Sequence, residues 1–597
     1  MTTSDLVDGY DRHLARRSDG LLRAFNDAGV LTAADVHVAN RLGALGGEPD
    51  ETVLLAVALV TRAVRHGSVC LAPADAAEID PELDWPDVTA WVAAIEASPL
   101  VAADVLHWEF GLLHLDRYWR QEVQVCDDLV ARRALPAPVV DEPALTAALG
   151  RVFPDSGYAE QAAAVDRAAR QWTTVLTGGP GTGKTTTVAG LLAVLIEQAE
   201  SNGQQVRIAM AAPTGKAAAR LQESVQAETA KLPAEDRARL AGLTSSTLHR
   251  LLGSRHDNGT RFRHHRANRL PHDIVVVDET SMVSLTMMAR LLEAVRPEAR
   301  LVLVGDRDQL ASVDAGAVLN DLVLGLPDDG TVIALRDNHR STEQIIRLAE
   351  ALRDGRDDDA VAALQAGSDS GFDSGSGSGE VEFVTAEDPA SALRATITDA
   401  ALAVRRHAEA GDAEAALTAL DEHRLLCAHR EGPYGVRHWN RQVEAWLSEV
   451  TGDPLYDTWY VGRPVLVTAN DYGLGVHNGD TGVVIRRASD GALRVVLRGA
   501  EGLLDFAPSR LDAVETMHAM TIHKAQGSQA TVVTVLLPDE ESRLLTRELF
   551  YTAVTRAKEK VVVVGSEAAV RLGVARRAVR PSGLQQRLRA ADPGVDL

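Results

Sequence analysis

Gly178-Gly179-Pro180-Gly181-Thr182-Gly183-Lys184-Thr185 is the stretch that decides the fold. It matches GxxxxGK[ST], follows the apolar run TTVLTG (173–178) and opens the helical text TTTVAGLLAVLIEQ (185–198). A strand, a glycine-rich loop and a helix in that order make a phosphate cradle. The glycines free successive backbone N–H groups to form an anion nest, and the helix N-terminus adds partial positive charge. On this reading Gly178 through Thr186 bind a nucleoside triphosphate, ATP. Lys184 bridges its β- and γ-phosphates and Thr185 holds Mg²⁺.

Working outward, the runs VRIAMAAP (206–213), DIVVVDE (273–279) and RLVLVGD (300–306) repeat the pattern. Each is a short β-branched run ending in a polar or glycine-rich loop, with helical text between. That alternation predicts parallel strands in a doubly wound α/β domain, with ligands at the carboxyl ends of the strands. Asp278-Glu279 ends the run IVVV, so Asp278 takes the magnesium ion and Glu279 activates the attacking water. Gly305-Asp306-Arg307-Asp308-Gln309 ends the next strand. Gln309 is placed to sense the γ-phosphate or the water; Asp306 and Asp308 read equally well as turn residues. The candidates for positive charge on the leaving oxygens are Arg340 in LRDNHRS, near the boundary with the second α/β domain, and Arg556 in FYTAVTRAKEK, within that second domain. Catalysis would then depend on domain closure.

The chain has 597 residues, enough for about three to five domains. Its 46% hydrophobic content excludes disorder throughout. Residues 1–140 read as a helical domain, bounded by PAPVVDEP (136–143). A first α/β domain spans 150–345, and a second takes 346–459 and 516–580. GSDSGFDSGSGSGE (367–380) is a flexible linker. Within 460–515, three short strands separated by Asn-Asp, Asn-Gly-Asp and Asp-Gly turns predict a small inserted antiparallel barrel. Residues 581–597 form a C-terminal tail.

Three scattered cysteines fit a reducing cytoplasm rather than a disulfide framework, and the polar first residues are unlike a signal peptide. No apolar run approaches the roughly 18 residues of a membrane span. The net charge of −23 argues against a simple electrostatic binder of nucleic acid. That charge is uneven, however. Residues 1–150 hold 24 acidic and 11 basic side chains, whereas His249–His272 holds six arginines and one acid.

Eight segments occur in this order: LTGGPGTGKTTT, AAPTGKAAARL, STLHRLLG, VVVDETSMV, VGDRDQLASVDAG, LRDNHRS, MTIHKAQGSQ and LFYTAVTRAKEKVVVVG. Together they resemble the motif set of superfamily 1 helicases, and among these the RecD group, the alpha subunits of exonuclease V. HGSVCL (66–71) and LHLDRYWRQE (113–122) resemble that group too. The resemblance implies two RecA-like P-loop NTPase domains, a helical N-terminal domain and an SH3-like β-barrel insertion, with a small subdomain near 253–272. It implies that Gln161 reads adenine and that Arg340 and Arg556 are arginine fingers. Pro213, Thr214, Thr247, His249, Thr521 and His523 would contact single-stranded DNA. It further implies 5′-to-3′ translocation at duplex ends, beside RecB-like and RecC-like subunits, in double-strand-break repair and recombination. No nuclease constellation is visible, so cleavage would belong to another subunit. Two alternatives stay open: a stand-alone 5′-to-3′ helicase, and a nucleotide-binding structural or regulatory subunit. A strand-tracking motor needs only a local channel of phosphate contacts, so the overall acidity does not oppose it.

Overall fold

The computed structural model describes residues 13–255, 258–338, 343–369, 379–386, 388–455, 457–471, 473–499 and 502–591. Arg340 and most of the Gly/Ser/Asp linker lie outside the described residues. The first sheet has six parallel strands in the order Val332–Leu335, Thr173–Gly178, Arg300–Gly305, Ile274–Val277, Ile208–Ala212, Ser245–Thr247. Helices cover both faces, which is why Ile274–Val277 is apolar at every position and buried at every position. The phosphate loop, Asp278-Glu279 and Asp306 leave three adjacent strands on the same edge.

A second sheet has five parallel strands: Val381–Val384, Ala557–Val564, Ala530–Leu536, His423–Cys427 and Ala519–Thr521. The two sheets centre two lobes. The insertion differs from the expected three-stranded barrel. It has five antiparallel strands, ordered Gly502–Phe506, Leu493–Gly499, Thr481–Arg486, Pro464–Val467, Val514–Thr516. Among the described residues no ladder joins its outer strands, so it is an open sheet with its own small core of Val465, Val484, Val495 and Leu497.

The N-terminal region is mainly helical but also holds a three-stranded antiparallel sheet of Cys70–Leu71, Leu112–Leu115 and Leu106–Glu109. Its hairpin turns at Phe110-Gly111, both at positive φ (56° and 74°) as a tight two-residue turn requires. Helix Asp116–Arg133 places Val125, Cys126 and Leu129 in the same core as Val275 and Leu301 of the first sheet. Residues 581–591, expected as a tail, are docked. Helix Leu584–Ala590 packs between Asp116–Arg133 and Val318–Gly325. Among the described residues no helix is long and apolar enough to cross a membrane.

Candidate active site

The loop after Thr173–Gly178 is left-handed at Gly181 and Gly183 (φ 83° and 80°), and Gly183 starts helix Lys184–Ser201. A Cβ on Gly183 would also stand 3.0 Å from Gln161 Nε2, so this position needs glycine twice over. Lys184 Nζ donates to the carbonyls of Gly178 (2.6 Å) and Gly179 (2.8 Å), folding back over its own loop. Gln161 is fully buried and its Nε2 donates to Thr182 O at 3.0 Å. The Thr186 hydroxyl turns away and donates to Glu228 Oε2 at 2.9 Å.

A cavity of about 490 Å³ lies between the lobes and is lined by Lys184, Thr185, Asp278, Glu279, Gln309 and Arg556. Asp278 Oδ1 accepts from the Glu279 N–H at 2.8 Å. Burial, with the neighbouring Glu279 charge adding to it, pushes the Asp278 carboxyl up to about 6. Glu279 sits at φ 50°, ψ 41°, a left-handed conformation that residues with a Cβ rarely adopt. Asp306, 2% exposed, combines turn chemistry with a cleft contact. Its Oδ1 accepts from Asp308 N (3.1 Å) and its Oδ2 from Gln309 Nε2 (2.9 Å). Burial and then Asp306 push Asp308 up to about 6. Arg556 is buried and bonds within its own lobe, with Nε donating to Thr552 O at 3.1 Å.

Other contacts across the cleft were not legible in the sequence. Thr552 Oγ1 accepts from Leu310 N (2.8 Å), and Gln526 Nε2 donates to Leu310 O (2.8 Å). Both residues lie inside quoted motifs, TAVTRAK and HKAQG. Membership of a motif was their only signal.

The residues expected at DNA lie at or just beyond the carboxyl ends of strands near one side of each sheet. Pro213-Thr214 follows Ile208–Ala212, and Thr247 closes the neighbouring edge strand in register with Ala212. Thr521 closes the edge strand of the second sheet. Each threonine hydroxyl accepts a backbone N–H: Thr214 from Ala217, Thr247 from Arg250, Thr521 from Lys524, all at 3.2 Å. An accepting hydroxyl keeps its own hydrogen to donate. Burial lowers the pKa of His249, and burial together with Arg580 lowers that of His523, so both are neutral at pH 7. The arginine island is partly structural: Arg266 pairs with both Asp128 oxygens at 2.8 Å, and Arg269 donates to Val295 O.

Family comparison matches residues 27–140 to the RecBCD enzyme subunit RecD N-terminal domain. Residues 161–315 match an AAA domain, and 516–564 a UvrD-like helicase C-terminal domain. The RecBCD enzyme subunit RecD of Mycobacterium tuberculosis is 59% identical over 595 residues, covering 98% of this chain and 99% of the relative. That of Mycolicibacterium smegmatis is 59% identical over 577 residues, 96% of this chain and 99% of the relative. An ATP-dependent RecD2 DNA helicase from Deinococcus radiodurans is 32% identical over 499 residues, 83% of this chain and 61% of the relative.

Proposed function

The chain belongs to the RecD family of RecBCD subunits, and from that membership we propose that it is an ATP-driven DNA motor. It translocates 5′-to-3′ on single-stranded DNA from duplex ends, in the cytoplasm, beside RecB-like and RecC-like subunits in double-strand-break repair. The observation carrying this reading is the convergence of Lys184, Thr185, Asp278, Glu279, Gln309 and Arg556 on one interlobe cavity. A cavity of about 490 Å³ suits a nucleotide. The Lys184 ammonium, now resting on loop carbonyls, is the group phosphates would recruit. A carboxyl pushed up by burial and a like charge, as Asp278 is, suits a divalent cation that restores its ionised form.

In the proposed roles Thr185 and Asp278 would hold Mg²⁺, which would offset charge on the phosphates. Glu279 takes the proton from the attacking water, and Gln309 orients that water. Arg556 and Arg340 offset the charge that develops on the leaving oxygens. Gln161, whose amide also bonds the phosphate loop, reads the adenine. Thr214, Thr247, Thr521, His249 and His523, with Pro213 between strand and helix, form the strand-facing row. Neutral imidazoles there would meet phosphates as hydrogen-bond donors, not cations. Residues 150–345 form the first motor domain, with its small insertion at 253–272. Residues 346–459 and 516–580 form the second, 460–515 is an inserted module, and the acidic region 1–140 faces a protein partner.

Alignment over 99% of the Mycobacterium and Mycolicibacterium RecD relatives, against 61% of the RecD2 helicase, favours a subunit over a stand-alone helicase. Occupied catalytic positions oppose a non-motile regulatory subunit. Strand displacement on tailed duplexes of both polarities, alone and with partner subunits, tests the proposal. ATP-dependent unwinding from 5′ tails is expected. Equal unwinding from 3′ tails would remove the polarity, and no displacement under any condition would remove the motor.

A further inference from the structure

Asp306 ends strand Arg300–Gly305 of the first lobe, and among the described residues no Lys or Arg pairs with it. Its carboxylate is held by donors instead. Oδ2 accepts from two side chains, Gln309 Nε2 at 2.9 Å and Tyr551 Oη at 3.1 Å. These come from opposite sides of the cleft. Gln309 lies three residues along the same loop, whereas Tyr551 stands on helix Arg547–Val554 of the second lobe, 3% exposed. The phenol also stands beside the phosphate loop: a Cβ added to Gly179 would lie 3.2 Å from Tyr551 Oη. Burial, with Asp306 and Asp308 adding to it, holds the phenol well above its ordinary pKa, so it remains a donor.

We propose that Tyr551 is a positioning residue for hydrolysis, its hydroxyl fixing Gln309 through the shared Asp306 oxygen only while the two lobes are together. The inference rests on the ATPase reading above. Gln309 spends its amide nitrogen on Asp306, which leaves Oε1 without a hydrogen-bond partner among the described residues, on a side chain that lines the cavity. That is the atom able to accept from a water. Parting the lobes withdraws Tyr551 together with Thr552 and Gln526, which grip Leu310 next door. Asp306 then loses a donor, and the Gln309 amide loses the constraint on its direction. Closure is thereby reported to the water-orienting side chain by a route separate from any arginine finger.

The test is a double-mutant cycle in the full chain, reading ATP turnover with a single-stranded oligonucleotide present. Tyr551→Phe keeps the ring and removes one hydrogen bond to a carboxylate, so kcat is expected to fall about tenfold with KM for ATP and the melting midpoint unchanged. In a Gln309→Ala background the same change should cost nothing further. An unchanged kcat, or the full tenfold loss retained without Gln309, overturns the proposal. Should Tyr551→Phe melt early, the cycle is repeated with Asp306→Asn, where independence from Gln309 overturns it equally. Lys184→Ala serves as the control: surviving turnover there sinks the ATPase reading itself, whereas additivity with Lys184 still essential sinks only this inference.

Discussion

Glu279 carries the residue-scale lesson. Its place after IVVV marks it in the sequence as the candidate base, and its left-handed backbone is what that place costs locally. Glu279→Gln keeps both shape and strain. It is expected to bind ATP and DNA while turnover falls by about a hundredfold or more. Glu279→Gly is expected to be equally inactive yet up to about 1 kcal/mol more stable, because relief of the left-handed strain exceeds the extra chain entropy of glycine. Urea unfolding of the two variants checks the sign, and a less stable glycine variant would show that the conformation is unstrained. Lys184, Thr185, Asp278, Glu279 and Gln309 were legible because each sits at a fixed offset from a strand end, and strand ends are written in apolar runs. Tyr551 and Gln526 were not. Their chemistry comes from the approach of two lobes more than 200 positions apart in the chain, and no local pattern records it.

At the scale of elements, strands His423–Cys427 and Ala519–Thr521 lie side by side, with a half-buried imidazole starting the first, His423, and another just before the second, His518. His423 Nε2 lies 2.9 Å from Thr534 Oγ1, and His518 Nε2 lies 2.9 Å from Tyr460 Oη. Burial, then Arg424, pushes His423 down to about 4; burial, then Arg463, pushes His518 down to about 3. Both folded values fall below the ordinary 6.5. Above that pH the imidazoles are neutral in either state and contribute no pH dependence. Below it the unfolded chain takes up protons that the folded chain refuses, so stability is lost as pH falls, by about 1.4 kcal/mol per unit for each histidine. His518→Gln removes one of the two. Unfolding free energies of parent and variant, compared between pH 6.5 and 4.5, should shift steadily in the variant's favour. A constant difference would mean that His518 is protonated in the fold. The same elements show where sequence patterns fail. Runs covered on both faces were legible as strands, but Gly502–Phe506 is largely exposed and Val514–Thr516 has three residues, too few to display a period.

At the scale of the whole molecule, the chain does not fold as separate beads. Arg132, at the end of the last N-terminal helix, is 4% exposed. Its guanidinium donates to Thr173 Oγ1, Arg296 O and Trp172 O at 2.8 Å and to Ala299 O at 2.5 Å. No carboxylate shares that site among its bonded partners; the cation is spent on polar groups at the strand-entry edge of the first sheet. From the other end of the chain, Arg587 reaches Glu109 at 2.6 Å, while Ser582 Oγ and Gly583 N donate to the buried Glu122 at 2.9 Å. Composition could locate the acid excess before residue 150 but not this docking, since helices that share a core look like helices that do not. The consequence separates two truncations. Deleting residues 1–104 removes most of the acidic helical module and leaves helix Asp116–Arg133 in place. DNA-stimulated ATP turnover should persist while assembly with partner subunits is lost. Deleting 1–140 also strips Val125, Leu129 and Arg132 from the first lobe, where truncating buried apolar side chains costs about 2–5 kcal/mol apiece and each orphaned buried carbonyl about 1–3 kcal/mol. That sum exceeds the stability of an ordinary domain, about 5–15 kcal/mol, at its lower end. The longer deletion should therefore abolish cooperative melting and turnover together, as calorimetry and an ATPase assay would report. If it instead keeps both, the N-terminal helix is a passenger on the motor and the acidic module is independent through residue 140.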